Sequence, residues 1–387
     1  MREIFDVVVI GGGVVGLTAA IAMSQRNYHV AVIDTGSLTM DKMPVDSRVY
    51  AINQASQSLL QALDVWLQMN ESRISPYRHM HVWDAGSGAY IDFDARIVGA
   101  DQLGVIVEET IIKQALLQRA SQLGITLFPQ SCISNIKVDA EKVQISGAST
   151  WHAKLLVVAD GAASATRQLL GVAMTNWPYH QHAVVGTVRV EKPHQATAYQ
   201  VFNSDGPLAF LPLHDPYQCS IVWSTTPARA ALLSAMTDDE FNRKLTEAFA
   251  ATLGLSQIIS KRRQFPLHMR HAKQYHGVRW LLMGDAAHTI HPLAGLGLNV
   301  GLADVSAWLD ILDEAGSSVW SEKMLAAYQR QRKHSVWQII VMMETLKALF
   351  ANPLPPVKRL RGLGLNVCNT MPALKRFFIE QAAGQVF

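Results

Sequence analysis

The sequence predicts an α/β protein with an alternating strand–helix part, an inserted antiparallel sheet and a helical C-terminal segment. Three observations support this prediction. Short apolar runs at residues 4–10 and 29–34 flank a glycine turn and a helical stretch, as parallel strands joined by a crossover helix do. Between residues 178 and 277, strand-like runs follow one another closely, which favours antiparallel pairing. After residue 330, apolar residues recur at helical spacing.

The first part begins with one right-handed βαβ unit. Residues 4–10 are rich in β-branched side chains and predict a buried strand, which three consecutive glycines end. A helix over 14–26 and a second strand over 29–34 complete the unit. Further elements are predicted in the order helix 56–68, strands 79–83 and 90–93, amphipathic helix 109–123 and buried strand 155–159.

The middle and the end differ from this alternation. Predicted strands of the middle part cover 183–190, 198–202, 208–213 and 219–223. Thr237 and Glu240 have the spacing of a capping box, which predicts a helix start there. A buried strand over 280–283 follows, and then a helix with apolar residues between 336 and 350. Three prolines at 353, 355 and 356 break the chain before a last basic, Phe-rich segment.

Composition excludes several classes of protein. A hydrophobic fraction of 49% and a charged fraction of 17% indicate a globular chain rather than a disordered one. Cys132, Cys219 and Cys368 are too few and too far apart for a disulfide framework or a zinc ribbon, which fits a reducing compartment. No run reaches about 18 apolar residues, so a cytoplasmic protein is predicted, with peripheral contact to the inner face of the membrane left open.

Charge is unevenly distributed along the chain. The net charge is +3, but residues 330–387 carry nine Lys or Arg against two Glu, a net of +7 that leaves −4 elsewhere. Two interpretations stay open for this basic and apolar end: contact with anionic lipid, or the solvated face of ordinary packing helices. Nothing in it forms a nucleic-acid-binding module.

A glycine motif lies between the first strand and the first helix. Gly11, Gly13 and Gly16 form G-x-G-x-x-G, and Asp34 closes the next strand. In this pattern the glycines permit a tight turn, close approach of a pyrophosphate and close helix–strand packing. The helix N-terminus stabilises phosphate charge, and the acid binds ribose hydroxyls, which disfavours a 2′-phosphate here. The motif predicts a Rossmann-type dinucleotide site, and by itself it leaves FAD and NAD open.

Two further glycine–acid pairs favour FAD. Asp160-Gly161 follows the strand at 155–159, and Gly284-Asp285 follows the strand at 280–283. An acid just beyond a parallel strand lies at the carboxyl end of the sheet, where ligands bind. A simple NAD dehydrogenase does not need such distant acids, whereas the ribityl chain of a flavin carries hydroxyls that they can bind.

These three motifs in this order resemble the single-component flavin monooxygenases that hydroxylate aromatic rings, of the para-hydroxybenzoate hydroxylase type. Residues 283–301, MGDAAHTIHPLAGLGLNVG, and residues 46–53, DSRVYAIN, are similar to the hydroxylases of ubiquinone biosynthesis in particular. The resemblance covers most of the chain and is weakest across 179–277. It implies a Rossmann-type FAD-binding domain of 1–70, 101–178 and 278–330, a substrate domain of 71–100 and 179–277, and a helical C-terminal region of 331–387.

The resemblance also implies roles for individual residues. Gly11, Gly13, Gly16 and Asp34 would bind the ADP half of FAD, and Asp285 would bind the ribityl hydroxyls. Asp160 and Gly161 match a motif that contacts both FAD and NAD(P)H. Arg48 would lie near the flavin, although an ordinary surface ion pair is the alternative. Residues expected beside the flavin ring are Pro292, Gly295, Gly297, Leu298 and Asn299.

One position departs from the family pattern. The family usually has Gln between two glycines where this chain has Leu296 between Gly295 and Gly297. Backbone amides at this helix start can still stabilise negative charge. No catalytic side chain is predicted, because the flavin carries the chemistry. No metal is predicted either: His288 and His291 lack a third ligand, and a proline follows them.

The implied function is FAD-dependent hydroxylation of a polyprenylated phenol or quinone precursor in ubiquinone biosynthesis, with NAD(P)H and O₂ and through a C4a-hydroperoxyflavin. Two alternatives remain: a flavin-dependent reductase or epoxidase of an isoprenoid, and a catalytically quiet FAD-binding subunit of a biosynthetic complex. A lipid-tailed aromatic molecule is the expected partner, and a homo-oligomer or a biosynthetic complex stays open. Neither the hydroxylated ring carbon nor the choice of NADH or NADPH is predicted.

Overall fold

The structure is a computed structural model that describes residues 4–39, 48–290, 295–315, 320–352 and 354–384. Its strands, in chain order, are β1 (Ile4–Ile10), β2 (Val30–Ile33), β3 (Val49–Asn53), β4 (Ser75–Tyr77), β5 (His79–Asp84), β6 (Tyr90–Asp94), β7 (Gly104–Glu108), β8 (Thr126–Phe128), β9 (Ile133–Val138), β10 (Val143–Gly147), β11 (Thr150–Val158), β12 (Met174–Val190), β13 (Thr197–Asn203), β14 (Gly206–Pro212), β15 (Gln218–Thr225), β16 (Ser256–Ile258), β17 (Arg263–Ala272), β18 (His276–Gly277), β19 (Trp280–Leu282) and β20 (His288–Thr289). Its α-helices are α1 (Val14–Ser24), α2 (Gln54–Ala62), α3 (Glu109–Gln122), α4 (Ala165–Leu169), α5 (Pro227–Ala235), α6 (Asp238–Ala248), α7 (Leu296–Ala315), α8 (Glu322–Ala351), α9 (Pro355–Thr370) and α10 (Pro372–Ala383). Single turns of 3₁₀ helix occur at Trp66–Gln68, Glu71–Arg73, Ala95–Val98 and Gly284–Ala286.

The first sheet places the ends of β1, β11 and β19 side by side. Its main order is β18-β19-β11-β1-β2-β8, with β10 and β9 added antiparallel to β11. The central pairs β2–β1–β11–β19 are parallel, so the loops after β1, β11 and β19 leave the sheet at the same edge. The residues Val7, Val8 and Val9 of β1 are fully buried; α1 packs against β1 and β2, and α3 and α7 pack against α1. The predicted βαβ unit is therefore confirmed.

The second sheet is mostly antiparallel. Its order is β20-β17-β12-β15-β14-β13-β5-β6, with β16 beside β12, and β13–β5 is its parallel pair among the described strands. The strands β5 and β6 reach it from residues 79–94, so two distant parts of the chain build one sheet. The ring centroids of Phe210 and Phe249 stack 3.7 Å apart in its separate core. A smaller sheet, β3-β7-β4, lies apart from both.

The inserted helix α6 begins at the predicted capping box. The backbone amide of Thr237 donates to Glu240 Oε2 at 3.0 Å, and the amide of Glu240 donates to Thr237 Oγ1 at 3.4 Å. Both unsatisfied amides are thus paired within one turn, as the sequence spacing predicts.

The C-terminal helices are tied to the second sheet. Two hydrogen bonds join Arg361 of α9 to Asp84 of β5, with Nη2–Oδ2 at 2.6 Å, and both side chains are buried. The rings of Phe202 and Phe350 stack with centroids 3.8 Å apart. As the prolines predict, the chain breaks between α8 and α9, and Pro355 and Pro356 then begin α9. Within the described ranges, the structure contains no helix with the length and apolar character needed to span a membrane.

Candidate active site

The glycine turn before α1 is built on very close backbone contacts. A Cβ atom on Gly16 would lie 1.9 Å from the carbonyl oxygen of Gly11, and one on Gly11 would lie 2.3 Å from the carbonyl oxygen of Ala159. The φ angle of Gly11, +111°, also belongs to the region that favours glycine. These two glycines therefore hold β1, α1 and the loop after β11 together.

Gly13 has a different environment. It is the N-cap residue of α1, where no side chain caps the helix, and a Cβ atom there would meet nothing within 4 Å among the described residues. The first amides of α1 consequently open into free space beside a cavity whose wall includes Gly13 itself. An uncapped helix N-terminus in such a place suits an anionic group.

Asp34 holds this turn from the end of β2. Its Oδ2 accepts the amide of Gly12 at 2.5 Å, and its Oδ1 accepts the amide of Gly36 at 2.6 Å. Each carboxylate oxygen can accept a further hydrogen bond. Asp34 is half-buried, so this capacity is accessible to a ligand hydroxyl.

Asp160 lies in the loop after β11. Its Oδ2 accepts the amide of Thr166 at 3.1 Å, and its Oδ1 is buried with no hydrogen-bond partner among the described residues. A buried carboxylate oxygen without a partner is unusual, because its desolvation is not compensated. Gly161, with a φ of +85°, belongs to the cavity wall. The pair thus combines an unsatisfied acceptor with a half-buried glycine on the cavity wall.

Two arginines that the sequence reasoning missed support this loop. Arg167 is buried and donates to the carbonyls of Ala286 at 2.9 Å and Ala162 at 3.2 Å. Arg270 donates to the same carbonyl of Ala162 at 3.0 Å. Burial lowers the pKa of Arg167 from its usual range, and the charge of Arg270 adds to this while Asp160 opposes it. The sequence offered one clue to Arg167: it lies three residues after Ser164, the residue that caps α4 directly behind the Asp160-Gly161 motif.

The second acid motif follows β19. A Cβ on Gly284 would lie 3.2 Å from Val15 Cγ2, and one on Gly301 would lie 2.8 Å from the same atom, so α1 and α7 approach closely here. Asp285 is exposed at the wall of the cavity. The protein around the cavity reduces its solvation, and with the charges of Asp304 and Glu109 this raises the pKa of the carboxyl above its ordinary value.

A buried ion cluster lies directly behind Asp285. Asp304 Oδ2 accepts the amide of Gly284 at 2.8 Å and pairs with His288 Nε2 at 2.7 Å, while its Oδ1 pairs with Arg332 Nε at 2.7 Å. Burial acts to raise the pKa of Asp304, but His288 and Arg332 outweigh it and lower that pKa. This cluster fixes the Gly284-Asp285 turn to α7 and α8. His291, which the sequence analysis considered together with His288 as a metal ligand, lies outside the described residues.

The start of α7 is fastened to β3 by one side chain. Asn299 Nδ2 donates to the carbonyl of Ala51 at 2.7 Å, and its Oδ1 accepts the amide of Asn53 at 3.0 Å. Gly295 has a φ of +64° and a Cβ there would lie 3.1 Å from Ala51 Cβ, whereas Gly297 has open space. Asn299 therefore positions the α7 N-terminus. Pro292 lies outside the described residues, as does the side chain of Leu296.

Arg48 forms the surface ion pair that was its alternative interpretation, and it also belongs to the cavity wall. Its Nη1 lies 2.7 Å from Glu109 Oε2, and half of the arginine side chain is exposed. The hydroxyl of Tyr50 donates to the same carboxylate oxygen at 3.4 Å. Burial and the charge of Glu109 raise the pKa of Tyr50, so this phenol stays protonated.

One continuous cavity of about 1070 Å³ joins these features to the second sheet. The predicted site residues on its wall are Gly13, Arg48, Gly161, Asp285, Gly295, Gly297, Leu298 and Asn299. Four other predicted site residues are absent from the described wall: Gly11, Gly16, Asp34 and Asp160. Their contacts, given above, hold the glycine turn and the loop after β11 that border the cavity. Beyond Asp285 the wall is formed mainly by apolar side chains of β5, β14 and α8–α10.

The chemistry of the donors and acceptors fits FAD. Phosphate can meet the open N-terminus of α1, and ribose or ribityl hydroxyls can meet Asp34, the unpaired oxygen of Asp160 and exposed Asp285. Fold and site together define an FAD-binding flavoprotein.

Comparison with known proteins identifies the family. The chain matches the FAD binding domain family over residues 5–342. It is 36% identical over 388 residues to 3-demethoxyubiquinol 3-hydroxylase of Escherichia coli strain K12, covering 98% of each chain. It is 32% identical over 390 residues to ubiquinone hydroxylase UbiL of Rhodospirillum rubrum, covering 99% of this chain and 90% of the relative. In fold it is similar to p-nitrophenol 4-monooxygenase PnpA of Pseudomonas putida, with a TM-score of 0.80, 18% identity and 98% of both chains covered.

The chain belongs to the FAD binding domain family, within its group of ubiquinone-biosynthesis hydroxylases. It is an FAD-dependent aromatic hydroxylase that uses NAD(P)H and O₂. The resemblance on which the sequence interpretation relied is thereby confirmed.

Proposed function

We propose that this enzyme adds a hydroxyl group to the ring of a polyprenylated phenol or quinol precursor of ubiquinone. The observation that carries the proposal is the continuity of the cavity, which runs from the acid motifs to an apolar chamber. The polar part suits a flavin and an aromatic ring, and the apolar part suits an isoprenoid tail. The relative from E. coli is named for a substrate of this class, 3-demethoxyubiquinol.

The proposed roles of the chain's residues are binding, orientation and exclusion of water. The amides at the start of α1 bind the pyrophosphate. The contacts of Gly11, Gly16 and Asp34 hold this turn of the chain in place. Asp160 and Asp285 accept hydroxyl groups of FAD. When bound, FAD supplies the activation of O₂ for hydroxylation.

The α7 N-terminus is the proposed electrostatic element beside the flavin ring. Asn299 anchors this helix start, so its backbone amides are oriented before any ligand arrives. Gly295, Gly297 and Leu298 lie on the cavity wall there. Pro292, which is outside the described residues, stays a residue proposed from the sequence to lie beside the flavin ring. Because amides rather than the side chain at 296 do this work, Leu296 in place of the usual Gln is compatible with activity.

The apolar chamber is the proposed substrate site. Its wall includes Val82, Leu211 and Phe350, which come from β5, β14 and α8. An aromatic ring enclosed by such side chains would be shielded from water, which limits side reactions with water.

The proposed location is the cytoplasm, with peripheral contact at the inner face of the membrane. The basic C-terminal region supports peripheral contact, because four Lys or Arg besides the buried and paired Arg361 stand against one Glu in residues 354–384. A homo-oligomer or a biosynthetic complex is proposed as well. Size-exclusion chromatography of the pure enzyme, alone and with cell extract, distinguishes these states from a monomer.

The proposed function is tested with the full-length, FAD-loaded enzyme and a short-chain 2-prenylphenol. We expect NADPH or NADH oxidation and O₂ uptake to accelerate with the phenol and to yield a product heavier by one oxygen atom, detected by mass spectrometry. Acceleration of NAD(P)H oxidation without O₂ uptake would favour a reductase instead. Bound FAD without any acceleration or product would favour a catalytically quiet subunit.

A further inference from the structure

An exposed apolar stripe runs along α9. Leu360, Leu363, Val367 and Met371 recur at intervals of three or four residues, so they share one face of the helix and its C-terminal end. Their exposed fractions are 70%, 63%, 51% and 44%. Single exposed leucines are common on protein surfaces, but a row of four at helical spacing forms a contiguous patch. We call these four residues the α9 stripe.

Exposed aromatic side chains extend this patch onto α10. Phe377 and Phe378 are 52% and 40% exposed, and their rings contact each other edge to face with centroids 5.7 Å apart. Leu354, which precedes α9, is exposed as well. The apolar surface therefore covers both C-terminal helices rather than one turn of α9.

Positive charge borders the stripe. Arg359 and Arg376 are exposed, and Lys358 and Lys375 are half-buried, while Glu380 is the one acidic residue in 354–384. The remaining basic residue, Arg361, is buried and neutralised by Asp84. Basic residues beside exposed apolar and aromatic side chains are complementary to an anionic lipid surface.

The cavity opens beside the same surface. Leu360, Gly364 and Phe378 belong to the cavity wall and are also exposed, so they form a mouth between α9 and α10. Behind this mouth the wall continues with Leu349, Phe350 and Leu365. An apolar path thus leads from the exposed patch toward the chamber.

We propose that the α9 stripe and the exposed phenylalanines of α10 dock this enzyme on an anionic bilayer, so that a lipid-tailed substrate enters the cavity directly from the membrane through the mouth between the two helices. The docking rests on charge complementarity and on the continuity of stripe and cavity. The entry of substrate rests in addition on the proposed function. A second copy of the chain or a partner protein would cover the stripe equally well with apolar contacts, but neither accounts for the mouth opening within it.

The test compares three forms of the full-length, FAD-loaded enzyme. The stripe variant is Leu363→Glu/Val367→Glu, which leaves the cavity wall untouched. The matched control is Leu67→Glu/Leu232→Glu, since these residues are 82% and 63% exposed and are not on that wall. The third form is wild type. Bound FAD and thermal unfolding are measured for each, because exposed substitutions should leave both unchanged.

Flotation with phosphatidylcholine vesicles, with and without phosphatidylglycerol, tests the docking. We expect wild type and control to float with the phosphatidylglycerol vesicles and the partition of the stripe variant to fall at least about tenfold, which corresponds to about 1.4 kcal/mol. A second variant, Arg359→Glu, should weaken binding only to the anionic vesicles. Wild type that stays in solution, or a stripe variant that floats as well as wild type, would overturn the proposal.

Two further readouts separate this proposal from its competitors. Hydroxylation of a short-chain phenol in solution should be equal in all three forms, whereas hydroxylation of a long-chain phenol in vesicles should fall in the stripe variant alone. If wild type is a dimer that only the stripe variant converts to monomer, the stripe is a self-association surface and the membrane proposal is wrong. If wild type floats but does not hydroxylate the short-chain phenol, the proposed function fails while the docking surface stands.

Discussion

The two ends of the cavity use charge in opposite ways. Near α1, Asp285 keeps an exposed carboxylate and the helix N-terminus has no side-chain cap. Near the C-terminal helices, the buried guanidinium of Arg361 is paired with a buried carboxylate. Open polar groups have a desolvation cost that only a ligand can offset, whereas paired buried groups stabilise the fold around them. Substitutions of the open polar groups at the first end should therefore change ligand affinity most, and substitutions of the buried pair at the second end should change stability most.

The largest effect is expected from Gly16→Ala. The new Cβ would lie 1.9 Å from the carbonyl oxygen of Gly11, a backbone atom that no side-chain rotation can relieve. We expect the free energy of unfolding to fall by more than about 3 kcal/mol and FAD to be lost. Thermal unfolding and the FAD content of the purified protein measure both.

The matched control for this variant is Gly13→Ala, where a Cβ meets nothing within 4 Å among the described residues and φ is −78°. It should unfold at the wild-type temperature but bind FAD more weakly, because the methyl group occupies the space beside the open amides. Equal destabilisation by both alanines would contradict the packing argument.

The next effect, confined to stability and without loss of FAD, is expected from Arg361→Met. This change leaves Asp84 buried without its partner and should lower the free energy of unfolding by about 3–5 kcal/mol. The double variant Asp84→Leu/Arg361→Met should recover most of that loss, since it removes both buried charges. Urea unfolding measures the difference, and the Kd for FAD serves as the control. A double variant no more stable than the single one would show that the pair has another role.

Asp285→Asn should change affinity and stability in opposite directions. The folded pKa of Asp285 is raised, so the stability that this group contributes is present at low pH and is lost as pH rises from the ordinary carboxyl value through the raised folded value. Asn resembles the protonated form, and the FAD-free variant should therefore unfold at a higher temperature than wild type at neutral pH. FAD should bind about tenfold more weakly, because one charge-assisted hydrogen bond is lost.

Asp139→Asn is the control for the predicted direction of the stability change. The backbone amides of Glu141 and Lys142 lower the pKa of Asp139, so the same substitution should reduce stability at neutral pH and leave FAD affinity unchanged. If Asp285→Asn also lowered the unfolding temperature, the carboxylate of Asp285 would have a stabilising partner within the protein and would not be waiting for a ligand.

The smallest effect on stability is expected from Arg48→Gln. The pair with Glu109 is half-exposed, so its loss should cost less than about 1 kcal/mol. A change in kcat or in the reduction rate of bound FAD with unchanged unfolding would support a position near the flavin. Unchanged kinetics together with unchanged stability would leave Arg48 as an ordinary surface ion pair.

Local patterns predicted much of the first sheet and of the cofactor site. The run of β-branched residues at 4–10, the glycine spacing and the helix after it define the βαβ unit, because each depends on near neighbours in the chain. The capping box at Thr237 and Glu240 was predictable for the same reason. The roles of the individual site residues toward FAD, and the division into domains, stay predictions.

Other features were beyond local patterns. The strand β17 was missed, because RQFPLHMRHA has no clear alternation and forms a strand by pairing with β12. The predicted strand at 183–190 is part of a longer one, Met174–Val190, which β15, β16 and β17 extend by pairing. Nor does the sequence show which basic residues of the C-terminal segment reach the surface: Arg332 and Arg361 are buried in ion pairs and add nothing to its surface charge.

By itself, the sequence predicted a dinucleotide site from the local spacing of its glycines and acids, and its resemblance to a known family predicted the kind of enzyme. Only the tertiary structure decided what surrounds that site. It brought Asp84 to Arg361 and Asp304 to Arg332 across 277 and 28 residues, and it placed an apolar stripe beside the mouth of the cavity. Such pairings arise from the packing of distant segments, and no nearest-neighbour pattern in the chain encodes them.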